Sequence, residues 1–228
     1  MTRNRGLEVA TAERPDVTLV AFDFDGTLSD DEMIVLLGEK AGAADEIADV
    51  TERAMEGELS YAESLRERAA LLEGVTESEA ADAYGRVALR EGTADLIDAL
   101  EDAGAETAIL TGGFEAGVES ALRRHGVSVD HVVANRLPAA DGTLTGEVEG
   151  PLVEGTKDDA LATLADDRGV PMAETVAVGD GANDVPMLRV AGVAVGFRPK
   201  SGVARHCDAV VETMDELASV LETRGVIR

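Results

Sequence analysis

The stretch Val17-Thr18-Leu19-Val20-Ala21-Phe22-Asp23-Phe24-Asp25-Gly26-Thr27-Leu28 decides the fold. Its first half, Val17 to Phe22, is a short apolar run that reads as a parallel strand buried on both faces. Asp23 and Asp25 leave the end of that strand two residues apart, and Gly26 permits a sharp turn. Open α/β sheets bind ligands beyond the carboxyl ends of their strands. Acids placed there suit a nucleophile, a proton donor and magnesium ligation through side chain or backbone. A strand end followed by an acidic Asp-Gly turn has the same local look. Three later segments decide between the two.

Between Leu28 and Glu91 no strand-like run occurs. Met33, Ile34, Leu36 and Leu37 open a helical stretch that Ile47, Val50, Ala54 and Met55 continue, with Gly57 interrupting. Leu59, Tyr61, Leu65, Ala69 and Leu72 form a second stripe ending at Gly74, and a further helix is expected from Glu77 to Leu89. This is far more than a crossover needs. Residues 29–90 are therefore expected to be a helical cap over the acidic strand end, and a candidate lid. From Glu91 strand and helix alternate, as a parallel sheet requires. Thr93 is expected to cap a helix closed by Gly104. Strands are expected at Thr107–Leu110, around His131–Val133, and at Thr175–Val178, Val193–Val195 and Ala209–Val211. Asp141-Gly142 marks a hairpin. The expected fold is α/β, a Rossmann-like parallel sheet core (residues 17–28 and 91–228) with an inserted helical cap after the first strand. Residues 1–16 read as a loose tail.

The formal net charge is -26, and the lysines number three, Lys40, Lys157 and Lys200. An acidic, lysine-poor, aromatic-poor chain suits concentrated salt, where the Debye length falls to about 3 Å and self-repulsion is screened. No basic stripe exists to neutralise phosphates, which argues against nucleic acid and against an anionic membrane surface. No apolar run approaches the roughly 20 residues of a membrane span, and no secretory signal opens the chain. The single cysteine, Cys207, excludes an internal disulfide framework. The cytoplasm is the simplest compartment. Monomer and homodimer both remain open.

Three expected strands end in polar, glycine-rich segments: Asp23/Asp25, Thr111-Gly112-Gly113, and Gly179-Asp180-Gly181-Ala182-Asn183-Asp184. A parallel sheet puts these ends on one edge, and Lys157 opens a helix that can present its amine there. The set fits phosphoryl transfer from a monoester through an aspartyl phosphate. A hydroxyl and glycine amides hold phosphate oxygens, lysine neutralises charge, and the acids hold magnesium.

These segments, in this order, resemble the four motifs of the haloacid dehalogenase superfamily. More narrowly the chain resembles the phosphoserine phosphatase family, from about Val17 to its C-terminus. The narrower likeness rests on Glu32, Ala54-Met55-Glu56-Gly57, Ser64-Leu65-Arg66-Glu67-Arg68, Ala134-Asn135-Arg136-Leu137 and Leu144-Thr145-Gly146-Glu147-Val148-Glu149-Gly150. Gly26 and Thr111 depart from it, since many members carry serine at both places.

The resemblance implies Mg2+-dependent hydrolysis of O-phosphoserine, the last step of serine biosynthesis. The alternative is another small-molecule phosphomonoesterase of the superfamily, acting for example on phosphoglycolate or a phosphosugar. By matching position, Asp23 would be the nucleophile and Asp25 the acid and then the base. Asp23, the Asp25 carbonyl and Asp180 would bind magnesium, with Asp184 supporting the metal site. Thr111, Gly112 and Lys157 would hold the phosphate, with Asn183 nearby. Glu32 would meet the substrate ammonium and Arg68 its carboxylate, while Met55 and Tyr61 would line the cap. Spacing alone does not choose between Arg66 and Arg68.

Overall fold

The computed structural model describes residues 18–154 and 156–228, so the tail expected over residues 1–16 lies outside the described residues. The first strand, β1 (Leu19–Phe22), is buried along its whole length. Leu19 and Ala21 point into one apolar layer, and Val20 and Phe22 into the other. A run with no polar side chain has no face to offer water, so the strand settles in mid-sheet.

Four helices follow β1 within residues 29–90: α1 (Met33–Ala41), α2 (Ala44–Met55), α3 (Tyr61–Ala70) and α4 (Glu77–Tyr84). The remainder alternates: α5 (Thr93–Asp102), β2 (Glu106–Phe114), α6 (Glu115–His125), β3 (His131–Asn135), the hairpin β4 (Ala139–Ala140) and β5 (Thr143–Leu144), α7 (Lys157–Arg168), β6 (Thr175–Gly179), α8 (Val185–Val190), β7 (Val193–Phe197), β8 (Ala209–Val211) and α9 (Met214–Thr223). Six parallel strands form one sheet in the order β3-β2-β1-β6-β7-β8. Leu161 and Ala165 of α7 and Leu188 of α8 pack on the Leu19/Ala21 side. Leu96, Ile97 and Leu100 of α5 and Leu217 and Leu221 of α9 pack on the other.

The chain leaves and re-enters the sheet region at one point. Ser29 bridges Leu89, and the Arg90 amide donates to the Leu28 carbonyl at 2.9 Å. Arg90 also reinforces this crossing. Its guanidinium donates to the carbonyls of Thr27 (2.8 Å) and Gly26 (2.9 Å), pairs with Asp30 and lies 5.0 Å from the Phe197 ring centre. The hairpin docks back on the α3–α4 turn through Gly74 N–H to Leu144 O, Leu144 N–H to Val75 O and Glu77 N–H to Gly142 O.

Four local expectations change. The helical stretch from Met33 is two helices, because Gly42 takes the left-handed conformation (φ 69°) and closes α1. The fourth helix stops at Tyr84 rather than Leu89. Gly92, not Thr93, is the N-cap of α5, and Thr93 is buried in the first turn. The strand expected over Thr107–Leu110 runs on to Phe114, with a register irregularity between Leu110 and Phe114.

Candidate active site

The carboxyl ends of β1, β2 and β6 meet residues of α1 and α3 around a cavity of about 140 Å³. From the strand ends it is lined by Asp23, Asp25, Thr111, Gly112, Gly113, Asp180 and Asn183. Glu32, Ile34, Tyr61, Leu65 and Arg68 line it from the helical side.

The loop after β1 is wound tightly. Asp23 N–H extends the strand by donating to Val178 O at 2.8 Å, and Gly26 N–H and Ser29 N–H close the turn on Ser29 O and Phe24 O, both at 2.9 Å. Gly26 has φ 84°, and a Cβ there would lie 2.5 Å from Asp180 Oδ2. Glycine is thus favoured twice, by conformation and by contact.

Lys157 is the hub on the sheet side. It begins α7, is 3% exposed, and its Nζ donates to Asp23 Oδ1 and Asp184 Oδ1, each at 2.5 Å. Burial works against its charge, but Asp184 and Asp23 hold its ammonium above the ordinary lysine value. The other Asp184 oxygen accepts from the amides of Asp180 (2.9 Å) and Gly181 (2.8 Å). Both Asp184 oxygens are therefore occupied by protein donors, and the residue ties Lys157 to the turn that carries Asp180.

Burial first, then Asp184, pushes the Asp23 carboxyl up to about 7 against the opposing pull of Lys157. Burial and the charges of Asp23 and Glu32 raise Asp25 well above the ordinary carboxylate range. One buried Asp25 oxygen has no hydrogen-bond partner. Asp23, Asp180 and Asp184 bring oxygen atoms within 4.8 Å of one another. A buried, all-oxygen, carboxylate-rich set of this kind suits a hard divalent cation such as magnesium.

Thr111 is buried, and its Oγ1 accepts from Gly113 N–H at 2.9 Å, which leaves the hydroxyl hydrogen available. Three residues outside the expected set support the site. Asn135 is fully buried, donates to Gly112 O at 3.0 Å and accepts from Leu152 N–H at 3.0 Å. Lys200 Nζ lies 3.0 Å from Asp180 Oδ2 and 3.2 Å from Glu32 Oε1. Arg90, described above, pins the carbonyls of the loop after β1. The scarcity of lysine was the available signal for Lys200, and the Ala134–Leu137 segment was the signal for Asn135.

The structure separates the two arginines that spacing left open. Arg68 lines the cavity, whereas Arg66 pairs with Glu154 on the surface. Met55, expected to line the cap, lies apart from the cavity. It closes α2 with 81% of its surface exposed. Helix α2 turns its buried residues, Ile47 and Val50, toward its neighbours and leaves its last residue in solvent.

The model of the haloacid dehalogenase-like hydrolase family matches residues 20–189. A phosphoserine phosphatase of Halobacterium salinarum is 58% identical over 210 residues, 92% of this chain and 100% of that one. A phosphoserine phosphatase of Methanocaldococcus jannaschii is 37% identical, over 86% of this chain and 93% of its own. Among solved structures, a phospho-aspartyl intermediate analogue of a phosphoserine phosphatase superposes with a TM-score of 0.82 at 36% identity, covering 90% of this chain and 98% of that one. A substrate-bound phosphoserine phosphatase complex gives 0.83 at 34% identity, covering 92% and 99%.

Proposed function

Because the chain belongs to the haloacid dehalogenase-like hydrolases, and among them to the phosphoserine phosphatase family, we propose that it hydrolyses O-phosphoserine to serine and phosphate. One observation carries the reading. Glu32 and Arg68, of opposite charge, line the same small cavity as the Asp23/Asp25 pair and the Thr111–Gly112 segment. A phosphorylated amino acid presents an ammonium, a carboxylate and a phosphate, and this cavity offers a complementary group for each.

In the first half-reaction the Asp23 carboxylate attacks phosphorus while the bond to the serine oxygen breaks. Asp25 gives that oxygen its proton, a role its raised affinity for a proton supports. In the second, the Asp25 carboxylate takes a proton from a water that attacks the aspartyl phosphate, which frees Asp23 and phosphate. Lys157 orients Asp23 and offsets negative charge on the phosphoryl oxygens. Thr111, the Gly112 amide and Asn183 hold those oxygens. Asn135 fixes the Gly112 carbonyl and thereby the amide beside it.

Asp23, Asp180 and the Asp25 carbonyl would hold Mg2+, with Asp184 keeping Asp180 and Lys157 in place. When bound, the ion would reduce repulsion between an anionic carboxylate and an anionic phosphate. We read residues 29–90 as a cap on a core of 17–28 and 91–228. No described helix is long and apolar enough to cross a membrane. Lysine scarcity, the charge of -26 and the likeness to a Halobacterium protein support a cytoplasmic, salt-adapted enzyme without nucleic-acid or membrane partners, as monomer or homodimer.

A second reading has one observation in its favour. Lys200 already neutralises Glu32, which leaves Arg68 to receive a purely anionic substrate such as phosphoglycolate. Glu32→Gln and Arg68→Met separate the two readings. Both should lower kcat/KM for phosphoserine far more than for an aryl phosphate. Equal losses on both substrates would remove Glu32 and Arg68 as recognisers of the amino acid.

A further inference from the structure

Gly112 has no positive φ, so its backbone does not ask for glycine. Something else does. A Cβ at Gly112 would fall 1.7 Å from the Tyr61 hydroxyl oxygen and 2.9 Å from the ring carbon that carries it. Tyr61 is the first residue of α3, on the helical side of the cavity, while Gly112 belongs to β2. The absent side chain is the space into which the phenol descends.

Tyr61 as a residue is 39% exposed, but its hydroxyl end lies deep among charged groups. Lys157, Arg68, Asp23 and Asp25 all act on it electrostatically, and burial pushes its ionisation up to about 12. The phenol therefore keeps its proton at neutral pH and is a donor. Among the described residues it has no hydrogen-bond partner, whereas tyrosine hydroxyls sunk into protein usually find one. The missing partner must accept, and it must sit beside the Gly112 backbone.

We propose that the Tyr61 hydroxyl donates a hydrogen bond to a phosphoryl oxygen of the bound substrate. A phosphate oxygen held at the Thr111–Gly112 segment is such an acceptor. The contact makes α3 sense the phosphate directly, apart from whatever leaving group Arg68 recognises on the same helix. Gly112 then has two tasks, to expose its amide and to make room for a donor from the opposite wall. The proposal rests on the cavity being a phosphomonoesterase site, and not on serine being the leaving group.

The test is Tyr61→Phe, which removes the oxygen and keeps the ring, assayed on O-phosphoserine and an aryl phosphate and against inorganic phosphate as inhibitor. A hydrogen bond to a charged group predicts a loss of about tenfold or more in kcat/KM. That loss should appear on both substrates, with inhibition by phosphate weakened to a similar extent and the unfolding temperature unchanged. In the Tyr61→Phe background, Gly112→Ala should cost less than it does in the parent, because the oxygen it strikes is gone. Unchanged kinetics and unchanged phosphate inhibition would overturn the proposal, as would a loss confined to phosphoserine. A parent enzyme that turns over the aryl phosphate but not phosphoserine would end the phosphoserine reading. The aryl phosphate and inhibition measurements would then still decide the role of Tyr61.

Discussion

Gly26 shows how one residue can couple backbone and chemistry. It turns the chain with φ 84°, and its missing side chain leaves room for the Asp180 carboxylate. Gly26→Ala should therefore act in two ways. Forcing an L-residue into this conformation should lower stability by about 1–2 kcal/mol, seen as a reduced unfolding temperature. Displacing Asp180 should raise the magnesium concentration needed for half-maximal activity several-fold. An unchanged magnesium titration would mean that the Asp180 carboxylate does not depend on this contact. The acids and Lys157 were legible in the sequence because each stands at the end of an apolar strand or the start of a helix, where topology alone brings them together. The contacts of Lys200 and Arg90 were not. Lys200 meets Glu32 across 168 positions, and Arg90 reaches Gly26 across 64, separations that no local pattern encodes.

The helices between β1 and β2 were visible from their apolar stripes, but their ends were less so. Gly42 splits a stretch that reads as continuous, because apolar periodicity survives a break that only backbone conformation reveals. The two later helices declare their starts chemically. Ser60 with Glu63, and Thr76 with Glu79, form reciprocal capping boxes. Ser60→Ala and Thr76→Ala should each cost about 1 kcal/mol, lowering the unfolding temperature by about 2–4 °C in a chain of this size. Their effects on turnover should differ. Ser60 caps α3, which carries Tyr61 and Arg68 into the cavity, so its loss should also raise KM. Thr76 caps α4, from which no residue lines that cavity, so its loss should leave KM alone. Equal KM effects would argue against α3 as the recognition helix.

For the molecule as a whole the governing number is the charge of -26. Two of the three lysines, Lys157 and Lys200, pair with acids of the site, and Lys40 pairs with Asp82. Lysine therefore contributes little to offsetting the exposed acids, and solvent cations must screen them. Lowering salt from molar to about 0.1 M lengthens the Debye distance from about 3 to about 10 Å, so carboxylates that ignore one another in brine begin to repel. The unfolding temperature should fall steadily as potassium chloride is diluted, and a flat response would detach the composition from any adaptation to salt. The parallel sheet, its order of elements and its inserted helices were all readable from alternation and motif spacing. The contacts between the helices and the strand ends were set by packing, which the sequence does not display. The central claim concerns the cavity those contacts create. It is tested most directly by phosphate release in molar potassium chloride with magnesium, comparing O-phospho-L-serine, phosphoglycolate and an aryl phosphate. Preference for phosphoserine, abolished by chelating magnesium, is the predicted result. Turnover of the other two without phosphoserine would contradict it.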